Sequence, residues 1–312
     1  MRQLQLAGAI PANILPFAAD FEIDEAEYRR HIEWLASCPG VGGVTCNGHA
    51  AEVASLGREE RRRLVALTAE VVDGRVPVVS GVYAENFVQA IQLARDATEE
   101  GADAILVFPL NVMLFGGNPE MAYQHFARLA ESVDLPMVAF VYPAWTRMQI
   151  STDMLRRICE DVPNVVAVKE WSLDVEVYER NLEAIRSLSR PVSMLSSFST
   201  NLLPSLVVGA DGILSGHGSV IADLQAELLD LVRRAEMDSA HELYRRIQKL
   251  TAVIYRPPFA DMYTRMKEQL VMLGRLERAV SRPPMLRLDE QERRELRQAL
   301  VEARLLPAVA VA

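Results

Sequence analysis

The stretch Gly101-Ala102-Asp103-Ala104-Ile105-Leu106-Val107-Phe108 closes one helical pattern and opens one apolar strand, and its first half returns as Gly209-Ala210-Asp211-Gly212-Ile213-Leu214. In each copy the glycine can take the positive φ that ends a helix, and the apolar run behind it reads as a strand. Two copies of one device point to a repeating βα unit. Working outward, short β-rich runs alternate with amphipathic helical stretches from near residue 9 to near residue 235. Eight pairs can be counted, with strands ending near Ile14, Cys46, Gly81, Phe108, Tyr142, Glu170, Ser196 and Ser215. The clearest helices run Asp24 to Ser37, Arg58 to Val72, Asn86 to Glu100, Pro119 to Ser132, Thr152 to Asp161, Val175 to Leu188 and Val220 to Arg234. Asp24, Pro119 and Ser151 or Thr152 supply their start signals.

This alternation predicts an α/β chain with a parallel sheet, and eight units favour a closed (β/α)8 TIM barrel over an open doubly wound sheet. No G-x-G-x-x-G follows the first strand, as a dinucleotide fold would require. Beyond residue 238 the alternation stops. Helical segments around His241 to Ile254, Met262 to Leu273 and Asp289 to Ala303 follow, separated by Arg256-Pro-Pro-Phe and Arg282-Pro-Pro-Met. The expected organisation is a barrel over residues 1–237 and a C-terminal helical region over 238–312 packed on it, with the apolar tail Pro307 to Ala312 frayed or held by a partner.

A net charge of −9 over 312 residues, with no basic stripe, argues against nucleic acid or an anionic membrane as a partner. Cys38, Cys46 and Cys159 form no C-x-x-C pair, and no histidine stands at zinc-ligand spacing, so no metal or other cofactor is expected. The thiols read as reduced and the chain as cytoplasmic. The N-terminus has no long apolar run of the kind a signal peptide carries, and no later segment approaches a membrane span.

In a barrel of this kind the active site lies at the C-terminal ends of the strands. There the run Val165-Val-Ala-Val-Lys169-Glu-Trp171 leaves a single lysine at the end of an apolar strand. A lysine drawn out of water loses its proton more easily, and the neutral amine can attack a carbonyl. The alternative is a salt-bridged lysine, with Glu170 as the nearest partner. Other strand-end candidates are Gly48-His49-Ala50-Ala51-Glu52, Tyr83, Asn111, Phe140, Tyr142, Ser196, Ser197, Ser215 and His217.

Over nearly its full length the sequence resembles the dihydrodipicolinate synthase and N-acetylneuraminate lyase family of class I aldolases. The resemblance is carried by Gly8-Ala-Ile-Pro-Ala-Asn13, the Gly48-to-Glu52 loop with Ser55-Leu-Gly-Arg-Glu-Glu60, Val168-Lys169-Glu170, Gly212-Ile-Leu-Ser215, Arg265-Met-Lys-Glu-Gln-Leu270 and Arg282-Pro-Pro-Met285. It implies that Lys169 forms a Schiff base with a 2-oxo acid, commonly pyruvate, and that the chain is a homo-oligomer, a dimer or tetramer. The family's Gly-Thr-Thr-Gly-Glu loop reads Gly48-His49-Ala50-Ala51-Glu52 here, so both hydroxyls that hold the substrate carboxylate are gone. The Ala50 and Ala51 amides, with Gly48 and the backbone at Leu214, remain to cradle it, and His49 can add a donor.

The family's proton-relay tyrosine aligns with Phe140, which cannot move a proton. Tyr142 lies two residues on and faces the same side of the strand, so it is the substitute acid/base, the alternative being a wall residue. The arginine that grips the second substrate in the synthases is replaced by Trp145, and Arg147 is the nearest cation that can compensate. Trp145, Trp171, Phe115 and Leu114 lean toward an aldehyde or enoyl partner with an aromatic or aliphatic body. The leading expectation is a Schiff-base-forming lyase on a 2-oxo acid, by aldol cleavage or condensation, or by hydration or dehydration. The alternatives are an authentic 4-hydroxy-tetrahydrodipicolinate synthase and a non-catalytic keto-acid-binding barrel.

Overall fold

The computed structural model describes residues 4–307. Parallel strands β1 (Gly8–Pro11), β2 (Val44–Cys46), β3 (Val78–Val82), β4 (Ala104–Val107), β5 (Met137–Val141), β6 (Val165–Glu170), β7 (Ser193–Ser196) and β8 (Gly212–Ser215) form one sheet. Each is followed by a helix: α1 (Glu25–Ser37), α2 (Arg58–Val72), α3 (Phe87–Glu99), α4 (Pro119–Ser132), α5 (Thr152–Asp161), α6 (Val175–Arg186), α7 (Leu202–Val208) and α8 (Gly218–Arg233). The hydrogen-bonded order runs β1-β8-β7-β6-β5-β4-β3-β2, and parallel bridges at Ala9–Val41 and Ala12–Thr45 bring the two ends together. The (β/α)8 barrel is therefore present.

The repeated glycine device works as expected, with Gly101 at φ +92° and Gly209 at φ +122°. Its aspartates add something the sequence reading passed over. The Asp103 carboxylate accepts the Val78 N–H at 3.0 Å while its own N–H donates to Val78 O at 2.8 Å. Asp211 does the same with Met194, at 2.6 and 2.8 Å. Each aspartate thus ties the start of one strand to the strand before it, satisfying backbone groups at the foot of the barrel.

Two local expectations needed revision. The first strand ends at Pro11 rather than Ile14, although the N–H groups of Ala12 and Asn13 still donate to Ser215 O and Thr45 O, each at 3.0 Å. Helix α7, counted among the eight pairs, has no bounds legible in the sequence, because Leu202-Leu-Pro-Ser-Leu-Val-Val208 is short, nearly all apolar and carries a proline in its first turn.

After the barrel come α9 (Met237–Ile254), α10 (Met262–Met272) and α11 (Glu290–Glu302). Their apolar faces share one cluster with α7, α8, Ile14 and Ala50, including Leu228, Ile247, Leu270 and Leu300. These helices thus reach the mouth of the barrel itself. The tail read as Pro307 to Ala312 lies, beyond Pro307, outside the described residues. Among the described residues no helix is long and apolar enough to cross a membrane.

Candidate active site

Strand β6 pairs Lys169 with Phe140 on β5 and with Leu195 on β7, so these three side chains share the inner face of the barrel. Lys169 is 5% exposed, and its Nζ stands 3.9 Å from the centre of the Phe140 ring. The next residue, Glu170, faces outward, where its carboxylate accepts from the Ser172 N–H and from Asn181 of α6, each at 3.3 Å. The proposed Lys169–Glu170 ion pair is therefore excluded by the strand's own alternation. Nor does any other carboxylate among the described residues form an ion pair with Lys169. The ring face of Phe140 favours the ammonium, but loss of water favours the amine more, and burial brings the Lys169 pKa down to about 7. At neutral pH this raises the amine fraction on the order of a thousandfold over a solvated lysine.

Opposite the amine, Gly48 enters a 3-10 helix (His49–Ala51) that ends at Glu52 with a left-handed backbone, φ 54°. His49 packs edge-on to Phe108 at 5.0 Å and to Tyr83 at 5.7 Å, and its Nε2 hydrogen-bonds the Tyr142 hydroxyl. Burial, helped by the charge on Lys169, pulls the His49 pKa down to about 3, and burial pushes the Tyr142 phenol well up. The pair is neutral imidazole against neutral phenol. Tyr142 lies beside Phe140 as the strand period requires, with ring centres 4.6 Å apart. A proton taken from an iminium leaves a neutral enamine and moves the positive charge onto this pair, so the buried charge is shifted rather than created.

Lys169, Phe140, Ala12, His49 and Ala50 line a cavity of about 40 Å³, completed by Trp171, Ser197, Gly216, Tyr255, Phe259, Met262 and Met266. The last four come from the C-terminal helices and the turn between them. Sequence reasoning missed them because Arg256-Pro-Pro-Phe259 was taken only as a break between helices. A Cβ at Gly216 would sit 3.2 Å from Ala50 Cβ and 3.7 Å from the Tyr255 oxygen, so glycine keeps this space open.

Other expected site residues fall elsewhere. The Ala51 N–H donates to Gly48 O at 3.1 Å and is already used; the first N–H groups of the 3-10 helix, those of His49 and Ala50, have no acceptor within it. Leu214 points inward one layer below Gly216, fully buried, and is not part of the cavity wall. Arg147 is exposed, at φ 61° after a short helical turn, and does not line the cavity. His217 is sealed against Thr251, with its pKa held down at about 3 by burial. Ser196 and Ser215 bond outward, to Ser205 of α7 and Gln225 of α8.

Glu52 holds the loop from behind. Its carboxylate takes the Lys267 ammonium of α10 at 2.5 Å and the Arg282 N–H at 3.0 Å, and Lys267 also donates to Val280 O at 2.6 Å. The Arg282 guanidinium reaches Glu60, Ser55 O and Phe21 O. This geometry makes Glu52 a support of the loop rather than a base. Lys267, fully buried, lies in the Arg265-to-Leu270 run that carries the resemblance, but the sequence gives no sign of its partner. Among the described residues no group of three or more His, Cys, Asp or Glu side chains is placed to hold a metal ion.

Residues 5–303 match the model of the dihydrodipicolinate synthetase family. Among curated proteins, the 4-hydroxy-tetrahydrodipicolinate synthase of Methanopyrus kandleri is 29% identical over 97% of this chain and 98% of its own length. That of Nitratidesulfovibrio vulgaris strain Miyazaki F is 31% identical over 96% and 99%. Among solved structures, a dihydrodipicolinate synthase from Bacillus anthracis superposes with a TM-score of 0.88 at 29% identity, covering 98% of this chain and all of that one. YagE, a prophage protein of E. coli K12 solved in complex with pyruvate, gives 0.88 at 25% identity over 96% and 99%.

Proposed function

Because the chain belongs to the dihydrodipicolinate synthetase family and is a lyase of the class I aldolase type, we propose that it acts on pyruvate or a close 2-oxo acid through an imine at Lys169. The observation that carries this reading is an amine buried at the bottom of a cavity with no carboxylate partner among the described residues.

The steps follow from the geometry. The neutral Lys169 amine adds to the keto carbon, loss of water leaves an imine, and a proton taken from water makes it the iminium that draws electrons from the adjacent bond. The 2-oxo acid carboxylate lies against the opening of the His49–Ala51 turn, where the Ala50 N–H is the donor. Removal of a proton from the adjacent carbon gives the enamine, and the Tyr142–His49 pair carries that proton. Phe140 serves as the dry floor under the nitrogen, and the tyrosine two residues on takes over the relay.

A second reading, 4-hydroxy-tetrahydrodipicolinate synthase itself, is favoured by the names of the curated relatives. Against it stand Phe140 and a cavity in which, among the described residues, Lys169 is the sole cationic side chain. The acidic chain and its free thiols suit a cytoplasmic homo-oligomer, dimer or tetramer. The exposed apolar run Val112, Leu114 and Phe115 supports such an assembly. Sedimentation equilibrium reads the copy number, and a monomer would remove that part of the proposal.

The imine is tested by adding borohydride in the presence of pyruvate and measuring intact mass. One reduced adduct per chain is expected, absent from Lys169→Ala. An unmodified wild-type chain with pyruvate and with longer 2-oxo acids would overturn the proposal.

A further inference from the structure

A second cavity of about 280 Å³ opens beside the lysine chamber between Trp145, Trp171, Leu173, Tyr255 and Phe259, with Ser199 and Thr200 at one side. It shares Trp171, Tyr255 and Phe259 with the lysine chamber, so these three rings form the partition between them. We infer that the electrophile is an uncharged aldehyde with an aromatic or aliphatic body, its carbonyl over the Lys169 enamine and its body in this antechamber. The inference rests on the imine chemistry proposed above.

The rings form a continuous track. Phe140, under the amine, lies 5.9 Å from Trp171; Trp171 lies 5.7 Å from Phe259 and 6.3 Å from Trp145; Tyr255 stacks on Phe259 at 5.6 Å. These spacings are those of offset and edge-on aromatic pairs, and a further flat ring can join them in the same geometry. Trp145 stands 65% exposed at the outer end. A large indole beside an apolar hollow is surface that a ligand can cover.

Charge argues the same way. Among the described residues no arginine or lysine except Lys169 lines either cavity, and that nitrogen becomes the imine. Arg147 is exposed and lines neither cavity. A carboxylate on the second substrate would lose its water without gaining a cation, whereas a neutral body loses nothing. Ser199 and Thr200 offer hydroxyls enough to orient one neutral oxygen substituent.

The reaction balances without a further reagent. The enamine carbon attacks the aldehyde carbon and forms the new C–C bond, and the C=O π electrons move to oxygen. That oxygen takes the proton the Tyr142–His49 pair removed earlier. Water then hydrolyses the imine, releasing a 4-hydroxy-2-oxo acid and the free amine. Loss of water from the product would give the conjugated 2-oxo acid, visible in the ultraviolet.

The full-length chain is tested with pyruvate and benzaldehyde, hexanal, succinic semialdehyde or glyceraldehyde, reading kcat/KM by product chromatography. Benzaldehyde or hexanal is expected to exceed the anionic and polyhydroxylated aldehydes by at least about tenfold. Trp145→Arg is expected to narrow that ratio by about tenfold or more. Rates are normalised to the yield of the borohydride-trapped pyruvate adduct in each protein, so misfolded material does not count. Equal or better use of succinic semialdehyde or glyceraldehyde, or an unchanged ratio in both Trp145→Arg and Trp171→Ala, overturns the inference. Failure of the pyruvate trap instead strikes the imine reading, so the two failures are distinguishable.

Discussion

Two lysines are buried in this molecule, and their surroundings differ in one respect. Lys267 is met by the Glu52 carboxylate at 2.5 Å and by Val280 O, whereas Lys169 meets the face of Phe140 and lines the cavity. Both lose water, and both have lowered pKa values, to about 8 and about 7. For Lys267 the carboxylate offsets much of the desolvation and keeps the ammonium at neutral pH. For Lys169 nothing of that sort does, and the residue is held half in its reactive form. Burial alone therefore does not mark a catalytic lysine; burial without a counter-charge does.

The comparison can be broken from the structural side first. Lys267→Met leaves the Glu52 carboxylate buried and uncompensated, and is expected to lower stability by about 3–5 kcal/mol. Adding Glu52→Gln should return part of that loss. Urea unfolding of the single and double variants measures both, and a single variant as stable as the parent would show that the pair contributes nothing. On the catalytic side, Tyr142→Phe keeps the ring packing against Phe140 and Trp171 and removes only the hydroxyl bonded to His49. Turnover should fall about 100-fold while pyruvate trapping persists. Unaltered turnover would move the proton relay to another group.

The smallest effect sharpens the contrast through pH. Imine formation needs the amine, so log(kcat/KM) should rise with a slope of about one below pH 7 and level off above it, as Lys169 loses its proton. His49, with its pKa near 3, and the protonated Tyr142 do not titrate between pH 5 and 9. A profile that bends only near pH 10 would place Lys169 in water.

Much of this was legible beforehand because it is local. Glycine-ended helices, β-branched runs and the lysine closing the sixth run are written in consecutive residues, and they predicted the barrel and the place of Lys169. The period of two along a strand also put Tyr142 beside Phe140. What stayed hidden is what long-range packing decides. Tyr255, Phe259, Met262 and Met266 enter the cavity from a segment read only as helices and prolines. Lys267 looked like one more charged position on a helix until its partner, 215 residues away, was known. Arg147 was expected near the substrate on sequence distance alone. A left-handed turn carries it to the outside instead.

The far wall of the lysine chamber has a consequence for how the protein is made. A ribosome has finished all eight strands once Ser215 has emerged, yet the pocket still lacks Tyr255, Phe259, Met262 and Met266. The loop bearing His49 also waits for Lys267 and Arg282. The wall around the amine of a nascent barrel is therefore unfinished, and it closes only as the last quarter of the chain folds over it.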